Sequence, residues 1–475
     1  MVRFLVLLFI LSLLSSCTLG KIFLYNEPEV SDHHIFPTAV VHAPEEPFRF
    51  AERPYSPLPP IELFLSDKYC DKHTSFEEFL IKHETTSFMV IRNDTILYEN
   101  YFNGGNRNSP AIVFSVTKAL TTTLVSMAID EGYIESLEVP AWHYIPEWEN
   151  DARKNIQLKH LTNMTSGLDF KDKRDILKLA RAYYSSDVNS YVTKTKLKYA
   201  PGEVFAYKSV DTQLLGICLE KATGITAFQY LEDKLWQPLG MEYDAHYTLD
   251  SQGGSSRMYG GLAACTRDLA KVGRLYLNKG YYNGEQLLPQ SWINSTKTRV
   301  ENEDKWWGYA NGFWLDGYRY ENLNEAEDFY AAGFKGQVVY MNPQKQLIII
   351  RLGVKESKIE WNQLCSRLAA VIDNPLHSKE ETINKSEISG LYKSDKGTIV
   401  RLESDGANWL LTKKGSKSIR FISEGPQSFF NEKKRKRIIL EKENGKIVGF
   451  HLDNMRSTRY FEKIEELETF ELISE

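Results

Sequence analysis

Two hairpin signals stand at opposite ends of a long stretch of helical patterning, and that arrangement constrains the fold of this 475-residue chain more than any other feature. The first runs from Phe88 to Tyr101, as FMVI, a turn at Arg92-Asn93-Asp94, and TILYENY. The second pairs Gln337–Met341 with Gln346–Leu352 around Asn342-Pro343-Gln344-Lys345. Runs of β-branched and aromatic residues bounded by turn formers read as strands. Helical periodicity recurs over Ser115–Ile134, 209–223, 226–236 and 266–279, and again over 361–373. Strands at both ends with helices between predict an α+β fold whose antiparallel sheet is assembled from both termini of one domain, here 63–375. Hydrophobic residues make up 42% of the chain and charged residues 25%, which excludes a largely disordered or collagen-like chain.

The flanks have a different character. Arg3 precedes an apolar run from Phe4 through Leu14, followed by Ser15-Ser16-Cys17. A basic start, a short apolar core and small residues predict a secretory signal over 1–17, too short to span a bilayer. Leu14-Ser15-Ser16-Cys17 resembles a bacterial lipobox. That resemblance implies that Cys17 is lipidated, and that a lipid anchor holds the exported protein to a membrane of the bacterial cell envelope. Thr18 in place of an acidic residue points by the same resemblance to the outer membrane. Residues 18–62 carry Pro37, Pro44, Pro47, Pro54, Pro57, Pro59 and Pro60, which predicts an extended tether. At the other end, 386–465 breaks into short strand-like runs (GTIVRLES, WLLTKK, SIRFIS, RIILEKE, IVGFHL, TRYFEK) separated by turns such as Asp405-Gly406 and Asn444-Gly445, a pattern expected of a small β-barrel or sandwich.

Charge and cysteine usage narrow the function. Lys plus Arg total 58 against 63 Asp plus Glu, a formal charge of -5, so the chain lacks the basic excess of a nucleic-acid binder. The local run Lys433, Lys434, Arg435, Lys436, Arg437 reads as a solvated hairpin rim. Besides Cys17, the cysteines Cys70, Cys218, Cys265 and Cys365 are scattered, with no Cys-x-x-Cys and no metal-ligand spacing. Cys218 and Cys265 lie in apolar contexts and are expected to be buried free thiols. No metal or organic cofactor is implied, and the sequence leaves the oligomeric state open.

Ser115-Val116-Thr117-Lys118 is the only Ser-x-x-Lys in the chain, and it opens a predicted helix. Residues i and i+3 share a helix face one turn apart. A serine hydroxyl becomes a nucleophile when a base takes its proton. A lysine can be that base where burial lowers its pKa toward neutrality. By itself the tetrad fits equally an N-cap serine followed by an exposed first-turn lysine. Further along, Pro201-Gly202-Glu203-Val204-Phe205-Ala206-Tyr207-Lys208-Ser209 precedes a helix. It offers Tyr207 as a phenolic acid/base and Ser209 as a cap or polar contact. Ala331-Ala332-Gly333-Phe334-Lys335-Gly336-Gln337 leads into the strand VVYM, where glycine lets the backbone approach a ligand. Trp306, Trp307, Tyr309, Phe313 and Trp314 form an aromatic cluster that fits either core packing or a pocket wall. His160 reads as structural.

Taken in order, these motifs resemble the serine β-lactamase-related hydrolases: class C β-lactamases, esterases and 6-aminohexanoate-dimer hydrolases. LKHLTNMTSGLDF at 158–170, PGEVFAYKSVDTQLLGICLEKATG at 201–224, GGLAACTRDLAKVGRLYLNKGYYNGEQLLPQSWI at 260–293 and YAAGFKGQVVYMNPQKQLIIIRLG at 330–353 carry the resemblance. It implies a β-lactamase/transpeptidase-like fold, an antiparallel sheet flanked by helices plus an all-helical region, followed by a lipocalin-like β module. It also implies an amide- or ester-cleaving enzyme acting on a small-molecule or peptide-like acyl substrate. In those terms Ser115 is the acylated nucleophile, Lys118 its proton acceptor, and Tyr207 the group that protonates the leaving group. The N–H groups of Ser115 and Phe334 form the oxyanion hole. Ser209, Gly333, Lys335 and Trp314 contact substrate. The chain departs from the family where a Lys-Thr-Gly or His-x-Gly triad usually precedes the last strand; the cation that commonly meets a β-lactam carboxylate is missing or displaced to Lys335. Ser-Asp-Asn with Lys-Thr-Gly, a Gly-x-Ser-x-Gly elbow, His-Glu-x-x-His, a P-loop and a dinucleotide fingerprint are all absent. A D,D-carboxypeptidase and a non-catalytic penicillin-binding-like sensor on the same fold are the alternative readings.

Overall fold

The computed structural model describes residues 18–53, 58, 75–297, 308–315, 328–372 and 385–464, apart from 406–407, 426–427, 432–435, 444–445 and 455–456. The predicted signal with Cys17, most of 54–74 with Cys70, Trp306, Trp307 and Lys433 to Arg435 lie outside them. The chain divides into two compact units, Met1–Ser56 with Leu80–Asn362, and Pro57–Phe79 with Gln363–Glu475.

In the first unit the two predicted hairpins are central neighbours in one sheet. The strands are β1 (Thr38–Val41), β2 (Ala51–Glu52), β3 (Thr85–Arg92), β4 (Thr95–Tyr101), β5 (Ala111–Ile112), β6 (Ala245–Thr248) and β7 (Leu262–Ala264). They continue with β8 (Tyr281–Tyr282), β9 (Glu285–Gln286), β10 (Tyr309–Ala310), β11 (Phe313–Leu315), β12 (Phe329–Gly333), β13 (Gln337–Asn342) and β14 (Leu347–Gly353). The main sheet has the order β10-β11-β12-β13-β14-β3-β4-β2. Its join is the antiparallel β14–β3 pair, with Ile348 opposite Ile91 and Ile350 opposite Met89. Every residue of β13 and β14 is buried. Helix Thr266–Leu277 packs on these two strands, which is why they read as continuous apolar runs rather than alternating ones.

Helix Thr117–Asp130 is buried from Thr117 to Ala128, and it packs against helix Ser209–Thr223. Its threonines make that burial tolerable, because each hydroxyl finds a partner on a different segment. Thr121 donates to the Met258 carbonyl (2.7 Å), Thr122 to the Asn311 carbonyl (2.7 Å), and Thr123 shares a hydrogen bond with the Tyr276 hydroxyl (2.7 Å).

The expected tether over 18–62 is packed onto the body where it is described. Residues 18–25 form a helix, β1 pairs antiparallel with β6 from Thr38–Thr248 to Val41–Ala245, and β2 pairs parallel with β4. Phe36, Val41 and Phe50 are buried among the prolines, and these apolar side chains secure the segment to the body in spite of its composition. The expected thiol state holds: Cys218 and Cys265 are buried and free.

In the second unit the strands from β15 (Gly390–Ser394) to β22 (Ser457–Ile464) close into an antiparallel barrel, with β15 paired to β22. Closure removes the free edges that an open sheet would leave. Inward-facing Tyr392, Leu402, Trp409, Phe421, Phe429, Ile438 and Phe450 fill the interior.

Candidate active site

The chain leaves β5, turns through Phe114, and starts the buried helix. Phe114 has φ +47°, a left-handed conformation that bulky residues adopt only when the surroundings impose it. Ser115 follows in a short 3-10 turn that runs directly into helix Thr117–Asp130. Its hydroxyl does not cap the helix. Ser115 Oγ accepts a hydrogen bond from Lys118 Nζ at 2.8 Å, and the same Nζ donates to the Tyr259 carbonyl at 2.9 Å. Lys118 is 1% exposed, so the alternative of an exposed first-turn lysine does not hold. Burial lowers its pKa from 10.5 to about 8, with Asp172 pulling the other way.

Tyr207 completes the group. Its ring lies 5.1 Å from Lys118 Nζ, and Ser115 is near enough to bear on the titration of its hydroxyl. Burial, reinforced by Asp172, raises its pKa well above that of a free phenol, so it stands ready as a protonated donor. Trp314 stacks on it at 5.2 Å and Tyr309 meets it edge-on at 5.7 Å. The aromatic cluster therefore divides between the two readings. Trp314 and Tyr309 pack on Tyr207, while Phe313 packs against Tyr276 and Phe329 in the core. Gly312 makes the β10–β11 turn possible: its φ is +89°, and a Cβ there would stand 2.5 Å from Thr122 Oγ1.

The end of β12 forms the opposite wall. A Cβ on Gly333 would lie 2.3 Å from the Val113 carbonyl oxygen and 3.2 Å from Ser115 N, so only glycine lets this strand approach the nucleophile. Phe334 follows, its ring edge-on to Phe114 at 5.5 Å.

Two predicted substrate contacts are otherwise engaged. Ser209 does not reach Lys118: its Oγ donates to Asp172 Oδ2 (2.7 Å) and its N–H to Asp172 Oδ1 (2.8 Å). Lys335 is 4% exposed and forms an ion pair with Glu29 at 2.5 Å. Tyr183 and Tyr184 are buried, with the Tyr183 hydroxyl donating to Asp32. His160 is structural: its Nδ1 accepts from the Gln157 N–H at 3.0 Å in a capping box.

Sequence reasoning passed over Asp172, Tyr259 and Glu29. Asp172 lies two residues beyond the matching 158–170 segment, within the charged run Lys171–Arg174 that reads as surface. Yet burial raises its pKa, and Lys118 is the strongest opposing influence. Tyr259 contributes through its carbonyl, which any residue type could supply.

A serine held by a buried, low-pKa lysine beside a tyrosine, next to a strand brought close by glycine, is an arrangement that fits a serine hydrolase. The Beta-lactamase family model matches residues 76–368, and the chain belongs to that family of hydrolases. It is 26% identical over 322 residues to the 6-aminohexanoate-dimer hydrolase of Paenarthrobacter ureafaciens, covering 63% of this chain and 79% of that one. It is 21% identical over 339 residues to a candidate D-alanyl-D-alanine carboxypeptidase of Escherichia coli O157:H7, covering 57% of this chain and 78% of the relative. Among solved structures, a candidate 6-aminohexanoate-dimer hydrolase from Bacillus anthracis superposes with a TM-score of 0.61 at 25% identity, covering 72% of this chain and 91% of that chain. The fold is accordingly β-lactamase/transpeptidase-like.

Proposed function

We propose that the protein is an exported, lipid-anchored hydrolase that cleaves a small amide or ester through an acyl-enzyme on Ser115. The observation that carries this reading is the 2.8 Å contact between Ser115 Oγ and a Lys118 ammonium buried away from carboxylate contacts. Neutral Lys118 takes the hydroxyl proton as Ser115 Oγ attacks the acyl carbon. The N–H groups of Ser115 and Phe334 hold the oxyanion. Tyr207 protonates the departing amine or alkoxide and is reprotonated through Lys118. In the second half-reaction the proton path runs in reverse, with water attacking the ester carbonyl. The similarity to a 6-aminohexanoate-dimer hydrolase supports a linear amide as substrate. The apolar run before Ser15-Ser16-Cys17 supports export and anchoring.

The test is hydrolysis of short-chain 4-nitrophenyl esters by protein lacking residues 1–17, wild type beside Ser115→Ala, with circular dichroism on both. Turnover in the wild type alone supports the reading. Equal turnover in both removes it. Incorporation of labelled palmitate into the full chain but not into Cys17→Ala tests the anchor.

A further inference from the structure

Just past the strand end that lies against Ser115 stands a buried cation already matched by a carboxylate of the chain itself. Lys335 stands one residue beyond Phe334 and two beyond Gly333, the glycine in contact with the nucleophile's backbone. Its Nζ lies 5.8 Å from the Phe334 ring centre and 2.5 Å from Glu29 Oε2. The backbone of Lys335 is held at φ +61°, and Arg351 pins it by donating to its carbonyl at 2.6 Å.

Glu29 is held just as firmly, although its side chain is 49% exposed. Its N–H donates to Asp32 Oδ2 at 3.0 Å, and the next residue's carbonyl accepts from the Ile112 N–H at 2.8 Å, one strand step before the nucleophile turn. Asp32 is itself fixed by the Tyr183 hydroxyl at 2.9 Å. Glu29 is therefore the carboxylate in contact with the Lys335 ammonium, and the neighbouring Asp32, whose pKa burial raises, feels that ammonium only weakly.

We infer that Glu29 is a specificity-determining residue: it occupies Lys335, so the site discriminates against substrates bearing a carboxylate near the scissile bond and takes neutral or amine-bearing ones. This inference rests on the acyl-enzyme reading of Ser115. A substrate carboxylate would have to displace a partner tethered in the same chain, hence present at high effective concentration. It would also approach Glu29 and Asp32 against like charge. The segment expected to be a tether thus supplies the carboxylate that engages Lys335.

The experiment compares 4-nitrophenyl butyrate, which is neutral, with mono-4-nitrophenyl glutarate, whose acyl chain ends in a carboxylate. Glu29→Gln keeps the shape and frees Lys335. The ratio of kcat/KM for the anionic over the neutral ester rises about tenfold or more, and adding Lys335→Gln returns it toward the wild-type value. Lys335→Gln alone, which leaves Glu29 unpaired, lowers the ratio below wild type. An unchanged ratio in folded Glu29→Gln overturns the inference and leaves the acyl-enzyme reading intact; should that variant not fold, a ratio that stays level or rises in Lys335→Gln does the same. If neither ester shows Ser115-dependent turnover, the acyl-enzyme reading fails on its own. Glutarate binding, followed by tryptophan fluorescence in Ser115→Ala with and without Glu29→Gln, then decides: tighter binding upholds the role of Glu29, and equal binding overturns it.

Discussion

Lys118 and Lys208 are both 1% exposed, and both are tied to Tyr207, one facing its ring and the other following it in the chain. Around Lys208 the protein supplies a carboxylate: Asp211 lies 3.6 Å away in a buried ion pair, and Ser166 accepts a hydrogen bond at 3.1 Å. Around Lys118 it supplies only neutral acceptors, a hydroxyl and a carbonyl, and holds the nearest acidic group, Asp172, against Ser209 instead. Burial without a contacting counter-charge pushes Lys118 down to about 8, close to where a base can work. The same residue type at the same depth meets a carboxylate in one place and only neutral acceptors in the other, and the placement of one carboxylate makes that difference.

Replacing the two lysines by methionine separates these roles most sharply. Lys118→Met abolishes turnover, by at least about 10³-fold as for a lost nucleophile partner, and raises the melting temperature, because a buried unmatched ammonium is removed. Wild-type stability also rises with pH between about 8 and 10.5, since the native state binds fewer protons there than the unfolded chain; Lys118→Met flattens that rise. Lys208→Met strands Asp211, whose carboxyl burial already pushes up to about 6, and costs about 3–5 kcal/mol in urea unfolding. Equal melting temperatures for the two variants would break the comparison.

A smaller effect appears in the pH dependence. With Lys118 as the base, kcat/KM falls on the acid side of about pH 8, close to tenfold per unit. Asp172→Asn removes the charge that holds this pKa up and moves the limb to lower pH. Asp211→Asn, whose carboxylate is matched to Lys208, leaves the limb in place. A limb that moves equally in both variants would show that the two acidic groups act alike. The smallest expected change is in Trp314→Ala, which removes the ring stacked on Tyr207. A twofold to tenfold loss in kcat/KM, with unfolding midpoint nearly unchanged, would assign Trp314 to positioning rather than to the core.

Much of this was legible along the chain. The two hairpins, the long helices and the short barrel strands all appear as local periodicity, and strands at both ends of the domain pointed to one shared sheet, whose β14–β3 pairing the structure supplies. Ser115 and Lys118 are one helical turn apart, so their contact is a local event. The N-terminal segment misled because proline count outweighed three well-spaced apolar residues, Phe36, Val41 and Phe50. Two barrel strands, Gly390–Ser394 and Ser428–Asn431, were passed over because they are short.

The sequence by itself determined the class of fold and the pairing of Ser115 with Lys118, since periodicity and i, i+3 spacing are properties of neighbouring residues. Only the tertiary structure decided which charges are matched. Asp172 holds Ser209, Asp211 matches Lys208, and Glu29 reaches Lys335 from 306 residues away. A contact between distant segments leaves no periodic mark in either one, and the burial that turns an ordinary lysine into a base comes into being only when the surrounding elements have packed.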